Sequence, residues 1–126
     1  MIFNSQTPVL NDGVADRTFT QMSPSSDSKS YIGRYAELSS DAAEGQEILV
    51  KQTKNNAQHM KLLASKRGKE AQTDADGNTV YRSCTINFTI AADQLCSVSF
   101  IEKELALACA AAQVSGLVSR AKHGDT

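Results

Sequence analysis

Cys84, His59 and Asp93 are the residue types of a nucleophile, a base and an orienting acid. No local signature surrounds them, and Cys84 falls on the apolar phase of an alternating segment, so all three read as structural. The run Asp74-Ala75-Asp76-Gly77-Asn78 begins like a calcium loop. Its glycine stands at the wrong offset and no glutamate follows at the twelfth position, which leaves a turn. Cys84, Cys96, Cys109, His59 and His123 are too scattered for a zinc site, and the three cysteines are expected to be reduced and buried. Asn87-Phe88-Thr89 has the form of a glycan acceptor but lies inside a strand pattern. The expectation is therefore a protein that is not an enzyme, with no catalytic residue, no metal, no cofactor and no small-molecule substrate.

Charge is the stronger signal. The 126 residues carry a net charge of −1, but it is unevenly spread. Residues 1–50 hold three basic and seven acidic side chains, residues 51–70 six and one, and residues 71–126 four and six. The middle block contains Lys51, Lys54, Lys61, Lys66, Arg67 and Lys69. A basic stripe within a nearly neutral chain is the electrostatic footprint of a phosphate-binding surface. No apolar run approaches the ~20 residues of a membrane helix, and the N-terminus lacks the pattern of an export signal, so no membrane partner is expected.

The elements that would position this stripe are strands. "YRSCTINFTI" places Cys84, Ile86, Phe88 and Ile90 on one side and Tyr81, Ser83, Thr85, Asn87 and Thr89 on the other, the period-two pattern of a sheet with two unlike faces. Upstream, 6–12 and 16–23 read as a hairpin around Asp12-Gly13, followed by a polar loop at 23–30. Residues 31–39 read as a strand with Ile32, Ala36 and Leu38 opposite Tyr31, Tyr35 and Glu37. Residues 40–46 form a turn, and 47–54 and 58–66 are strands joined across Asn55-Asn56-Ala57. A three-residue turn there pairs Thr53 with His59 and Lys51 with Lys61, gathering these four on one face and Ile48, Val50, Met60 and Leu62 on the other. Leu49 and Leu63 are exceptions on the polar face, expected at its margin. Residues 67–78 read as a hydrophilic loop.

Past Ala92 the period becomes helical, with Val98, Ile101, Leu105, Ala108 and Ala112 in phase and Leu117, Val118 and Ala121 beyond. Ser99 and Glu102 fit a capping box, with Ser97 as the rival cap, and Gly116 marks a kink or a second helix. The fold class is thus α+β: an N-terminal hairpin plus an antiparallel meander of about six strands, then two helices. The chain reads as one domain, 1–126, with a sheet region at 1–92 and a helical region at 93–126. Burying Val98, Ile101, Leu105 and Leu117 is worth about 6–12 kcal/mol before entropy, modest for so broad a sheet. A twofold dimer, with sheets joined edge to edge and each subunit's helices over its partner's strands, answers both the bare face and the open edges.

"YRSCTINFTIA", followed by some thirty mostly helical residues, resembles the last strand and helices of the coat proteins of single-stranded RNA bacteriophages. The order of elements along the whole chain is similar as well. The resemblance implies an interlocked homodimer with a ten-stranded sheet, helices outside, and assembly of many dimers into an icosahedral shell around genomic RNA. It also implies that the inner face can grip an RNA hairpin and so repress translation. Carried over by position, the RNA-facing residues are Lys51, Thr53, His59, Lys61, Tyr81, Ser83, Thr85 and Asn87. The inter-subunit loop carries Arg67, Gly68, Lys69, Asp76 and Gly77, and the dimer helices pack through Val98, Ile101, Leu105 and Leu117. The last strand departs from the family in lacking a tyrosine and an asparagine at the matching distance from Arg82-Ser83. The loop 67–78 has no cysteine, which excludes the loop disulfides of some members.

The function expected is that of a coat subunit, found in the virion and assembled in the bacterial host cytoplasm, whose partners are itself and genomic RNA. The alternative is a stand-alone dimeric RNA-binding module that represses translation without building particles. A small α+β enzyme is the third reading.

Overall fold

The structure, a computed structural model, describes residues 3, 5–26, 30–38, 45–53 and 59–124, without the side chains of 23–26 and 59. Two short strands, β1 (Val9–Asn11) and β2 (Asp16–Thr18), form a hairpin of their own. A five-stranded antiparallel meander follows in chain order: β3 (Thr20–Ser26), β4 (Ser30–Ala36), β5 (Glu47–Thr53), β6 (His59–Thr73) and β7 (Thr79–Asp93). Helices α1 (Val98–Ala112) and α2 (Leu117–His123) end the chain.

The hairpin turn is built by Asp12. Its Oδ1 accepts the amides of Val14 and Ala15 at 2.8 and 2.9 Å, while Gly13 adopts φ 94°. Those two amides, and then Arg17 Nε at 2.9 Å from Oδ2, hold the Asp12 carboxyl down at about 2, below its ordinary 3.8. Arg17 also reaches Glu37 at 3.1 Å, tying the hairpin to the end of β4. The amides of Phe19 and Gln21 donate to Pro8 and Gln6, so the N-terminal segment is laced to the start of β3.

The core is small: Phe19, Tyr35, Ile48, Val50 and Ala64 are buried, with Phe3 and Leu62 packed against them. Phe3 meets Tyr35 edge-on at 4.9 Å. In β4 the core side is therefore the tyrosine side, not the side of Ile32 and Ala36. Gly33 permits this, because a Cβ there would sit 3.1 Å from the Tyr31 ring and 3.2 Å from the Tyr35 ring. The ladder of β5 with β6 pairs Lys51 with Leu63 and Gln52 with Leu62, two residues away from the pairing a three-residue turn would give. An offset of two preserves parity, so each strand keeps its faces although its cross-strand partners change. The turn at 55–57 itself lies outside the described residues, as does most of the turn at 40–46.

Three expectations are corrected. Residues 23–26 continue β3 instead of looping. Arg67, Gly68 and Lys69 are not in a loop: β6 runs to Thr73 and pairs with β7 throughout, leaving Asp76 and Gly77 in a short turn where Asp74 Oδ1 accepts the amides of Asp76 and Asn78. Residues 67–73 carry no apolar alternation, so the segment alone does not mark a strand; its pairing with β7 makes it one. Ser97, not Ser99, caps α1, its Oγ accepting from the Phe100 amide at 3.1 Å. Gly116 (φ 79°) separates the two helices.

Neither helix buries a residue. No described helix is long and apolar enough to cross a bilayer.

Candidate nucleic-acid interface

The registers assign every strand residue to one of two faces of the meander. On one face, successive cross-strand rows read Thr20-Ala36-Glu47-Arg67-Thr85, then Met22-Arg34-Leu49-Ser65-Asn87, then Ile32-Lys51-Leu63-Thr89. Ser30 and Thr53 pair at one end of this face, as do Lys61 and Ala91; Lys69 and Ser83 pair beyond the Arg67 row, and Ala71 with Tyr81 further out. Four basic residues of the 51–70 block thus share this face: Lys51, Lys61, Arg67 and Lys69. Lys66 has the opposite parity, and Lys54 lies outside the described residues. Leu49 and Leu63 sit in the middle rows of the face, not at its margin, 40% and 38% exposed.

The expected RNA-facing residues are on this face but do not all converge. Lys51, Thr53, Lys61, Ser83, Thr85 and Asn87 are exposed on it. Asn87 is engaged by Ser65, whose Oγ donates to its Oδ1. Tyr81 stands ten residues along β7 from the partner of Lys61, roughly 34 Å at strand rise, so it cannot share a small ligand with that lysine. His59 opens β6 opposite Asp93, and its side chain is outside the described residues. Arg34 was missed, because nothing in β4 alone says which side of that strand joins the lysines. Arg67 and Lys69 were missed here because they were assigned to a loop. Arg34 Nη2 lies 2.7 Å from Glu47 Oε2, and Arg67 Nη1 lies 3.6 Å from Glu47 Oε1.

The opposite face is apolar and only half covered. On the side of β4 and β5, Tyr35, Ile48 and Val50 are buried, whereas on β7 Ile86 is 62% and Phe88 48% exposed. An open groove of about 660 Å³ runs along it, lined by Phe19, Ile48, Val50, Leu62, Phe88 and Ile90 and also by Leu105 of the chain's own α1. Lys66 lines its polar end, donating to Gln46 at 2.6 Å and passing 5.8 Å from the Phe19 ring. Burial, aided by the charge of Arg17, lowers its pKa. The helices add bare apolar surface: Val98, Leu105 and Leu117 are 71%, 40% and 41% exposed and Ile101 is half-buried. Cys84 and Cys109 are exposed in the single chain, and Cys96 is half-buried; all three are free thiols.

No catalytic set assembles around Cys84. It pairs with Gly68, nine residues down β7 from Asp93, roughly 30 Å at strand rise. Among the described residues, no three His, Cys, Asp or Glu side chains converge as metal ligands.

No family model matches the sequence, and no curated protein matches it either. Solved structures do. The chain superposes on the virus-like particle of bacteriophage AVE019 with a TM-score of 0.75 at 13% identity, covering 98% of this chain and 99% of that one. The chain shares the fold of that particle's subunit. Against the virus-like particle of Beihai levi-like virus 21 the TM-score is 0.65 at 15% identity, with 95% and 94% covered. Against the bacteriophage GA capsid protein it is 0.54 at 10% identity, with 96% and 95% covered. The shared fold thus extends over nearly the whole chain, from the hairpin through the meander to the two helices, at 10–15% identity.

Proposed function

We propose that this protein is the coat subunit of a small RNA phage: a non-enzymatic structural protein that dimerises, closes into an icosahedral shell and packages RNA against the cationic face of its sheet. The fold, found in capsid particles, supports the structural role. The observation that carries the reading is the two-sidedness of the sheet in a chain that does not cover itself. The subunit exposes 9363 Å², whereas a compact monomer of 13.5 kDa exposes about 6,500 Å², a surplus of roughly 2,900 Å². That surplus has the scale of an obligate interface. A second copy laying α1 and α2 over the open groove would seal Phe88 and Ile86 on one subunit and Val98, Ile101, Leu105 and Leu117 on the other. The edge of β7 that has no strand beside it among the described residues would meet its own copy about the twofold.

With the apolar side sealed, the other side faces the lumen. Lys51, Lys61, Arg67 and Lys69 supply the salt-sensitive attraction to phosphates, while Thr53, Ser83, Thr85 and Asn87 supply hydrogen bonds to splayed bases and riboses. Tyr81, at the far end of the β6–β7 hairpin, serves a separate contact. Asp76 and Gly77 form the tip of that hairpin, where subunits meet in the shell. Hairpin recognition that represses translation is the regulatory use of the same surface. Assembly takes place in the bacterial cytoplasm, where the RNA is made.

Two measurements test this. Size-exclusion chromatography of the expressed chain should give megadalton particles with the absorbance of packaged RNA; a species of only twice 13.5 kDa would instead favour a stand-alone RNA-binding dimer. Replacing Lys51 and Lys61 together by Ala should remove about two phosphate contacts, flattening the log–log salt dependence of binding by roughly 1.4 for single-stranded RNA. An unchanged slope would rule this face out.

A further inference from the structure

Glu47 is a carboxylate set among the cations of the polar face. Glu47 lies directly across from Arg67 in the β5–β6 ladder, and Arg34 reaches it from β4. Both Arg34 Nη2 (2.7 Å) and Arg34 Nε (3.1 Å) donate to Oε2. Arg67 stands at 3.6 Å from Oε1, beyond hydrogen-bond range, so charge holds it in place without a fixed bond. The two arginine side chains are 59% and 57% exposed and the glutamate 22%, so the guanidinium groups flank the carboxylate and face solvent. Beside them Gly45, Glu47, Arg67, Gly68, Lys69, Ser83 and Thr85 line a shallow pocket of about 400 Å³. A guanidinium, an ammonium and two hydroxyls around one concavity are the donor set for a phosphodiester.

We propose that Glu47 is an intramolecular stand-in for an RNA phosphate. It occupies Arg34 and Arg67 while RNA is absent, and on binding it yields Arg67 to a backbone phosphate seated between Arg67, Lys69, Ser83 and Thr85. This rests on the reading of the polar face as the RNA face and adds to it a defined subsite and a built-in restraint. The geometry suits an exchange. Arg34 keeps its two bonds to Oε2, so Glu47 is never left without a partner, whereas the longer contact of Arg67 is the one a phosphate can replace with little loss. A carboxylate set among cations weakens indiscriminate attraction to any polyanion. Occupation of the subsite then requires a strand that reaches it in register, which favours RNA already laid along the sheet.

The test is filter binding of an unstructured oligouridylate to the full chain across a salt series, with melting temperature as the control for folding. Glu47→Gln, which keeps an acceptor for Arg34 and removes the charge, should add about one phosphate contact. The salt slope should steepen by about 0.7, and affinity at 0.1 M salt should rise about fivefold. The gain should vanish when Arg67→Ala is combined with it, and Arg67→Ala with Lys69→Ala in the parent should flatten the slope by about 0.7, the share of Lys69, because Glu47 takes up a counterion as it yields Arg67. If the Lys51 and Lys61 replacements weaken binding but Glu47→Gln leaves it unchanged or lowers it, the stand-in role is refuted and the RNA face survives. If neither set moves the slope, the face itself is wrong and this proposal falls with it.

Discussion

Phe88 offers the sharpest measure of what a second subunit contributes. It sits on the apolar face of β7, opposite Ala64 and between Ile86 and Ile90, and 48% of it is exposed in the single chain. Truncating a fully covered phenylalanine to alanine costs about 3–5 kcal/mol. Half of this ring is already covered within its own subunit, so about 2 kcal/mol per chain depends on the partner. A twofold dimer carries two copies, and the loss in association is then about 4 kcal/mol, or nearly three decades in dissociation constant. Urea denaturation of Phe88→Ala and the parent at several protein concentrations reads this directly. A folded dimer that unfolds to separate chains has a midpoint that rises with concentration, and the variant's midpoint should fall at every concentration. A midpoint independent of concentration in the parent, or a variant that loses less than about 1 kcal/mol, would mean that Phe88 stays half-exposed and that no partner helix seals the groove.

Two further outcomes follow from local geometry. Ser97→Ala removes the oxygen that accepts the Phe100 amide and should destabilise α1 by about 1 kcal/mol, seen as a lower urea midpoint, whereas Ser99→Ala should have little effect. Asp12 has a folded-state pKa of about 2 against 3.8, so its contribution to the N-terminal hairpin is complete above about pH 4 and is lost as pH falls toward 2. The amide resonances of Val14 and Ala15 should titrate in that window, and Asp12→Asn should abolish the titration.

Much of the fold can be read from residue types alone, because period-two and helical spacings are local properties. The alternation of "YRSCTINFTI" named both faces of β7, and the change of period after Ala92 located the helices within a few residues. Parity also survived a shifted register: the β5–β6 pairing is offset by two residues, and an even offset leaves Lys51 and Lys61 on the face predicted for them. The basic block was visible as composition before any strand was assigned.

Other features depend on which strands become neighbours, and no single strand encodes that. Arg34 joins the cationic face only because β4 pairs with β5 in a register that sets Arg34 opposite Leu49 and diagonal to Glu47. Arg67 and Lys69 join it because the β6–β7 ladder extends their strand to Thr73, through a segment whose polar residues and glycine look like a loop when read in isolation. Tyr35 turns inward against Phe3, a contact between segments some thirty residues apart. Sequence thus determined the two-sided strands, the helices and the place of the charge. Tertiary structure decided which cations share a surface with Glu47 and which apolar residues remain bare, because both depend on pairings between distant segments and on the area those pairings leave uncovered.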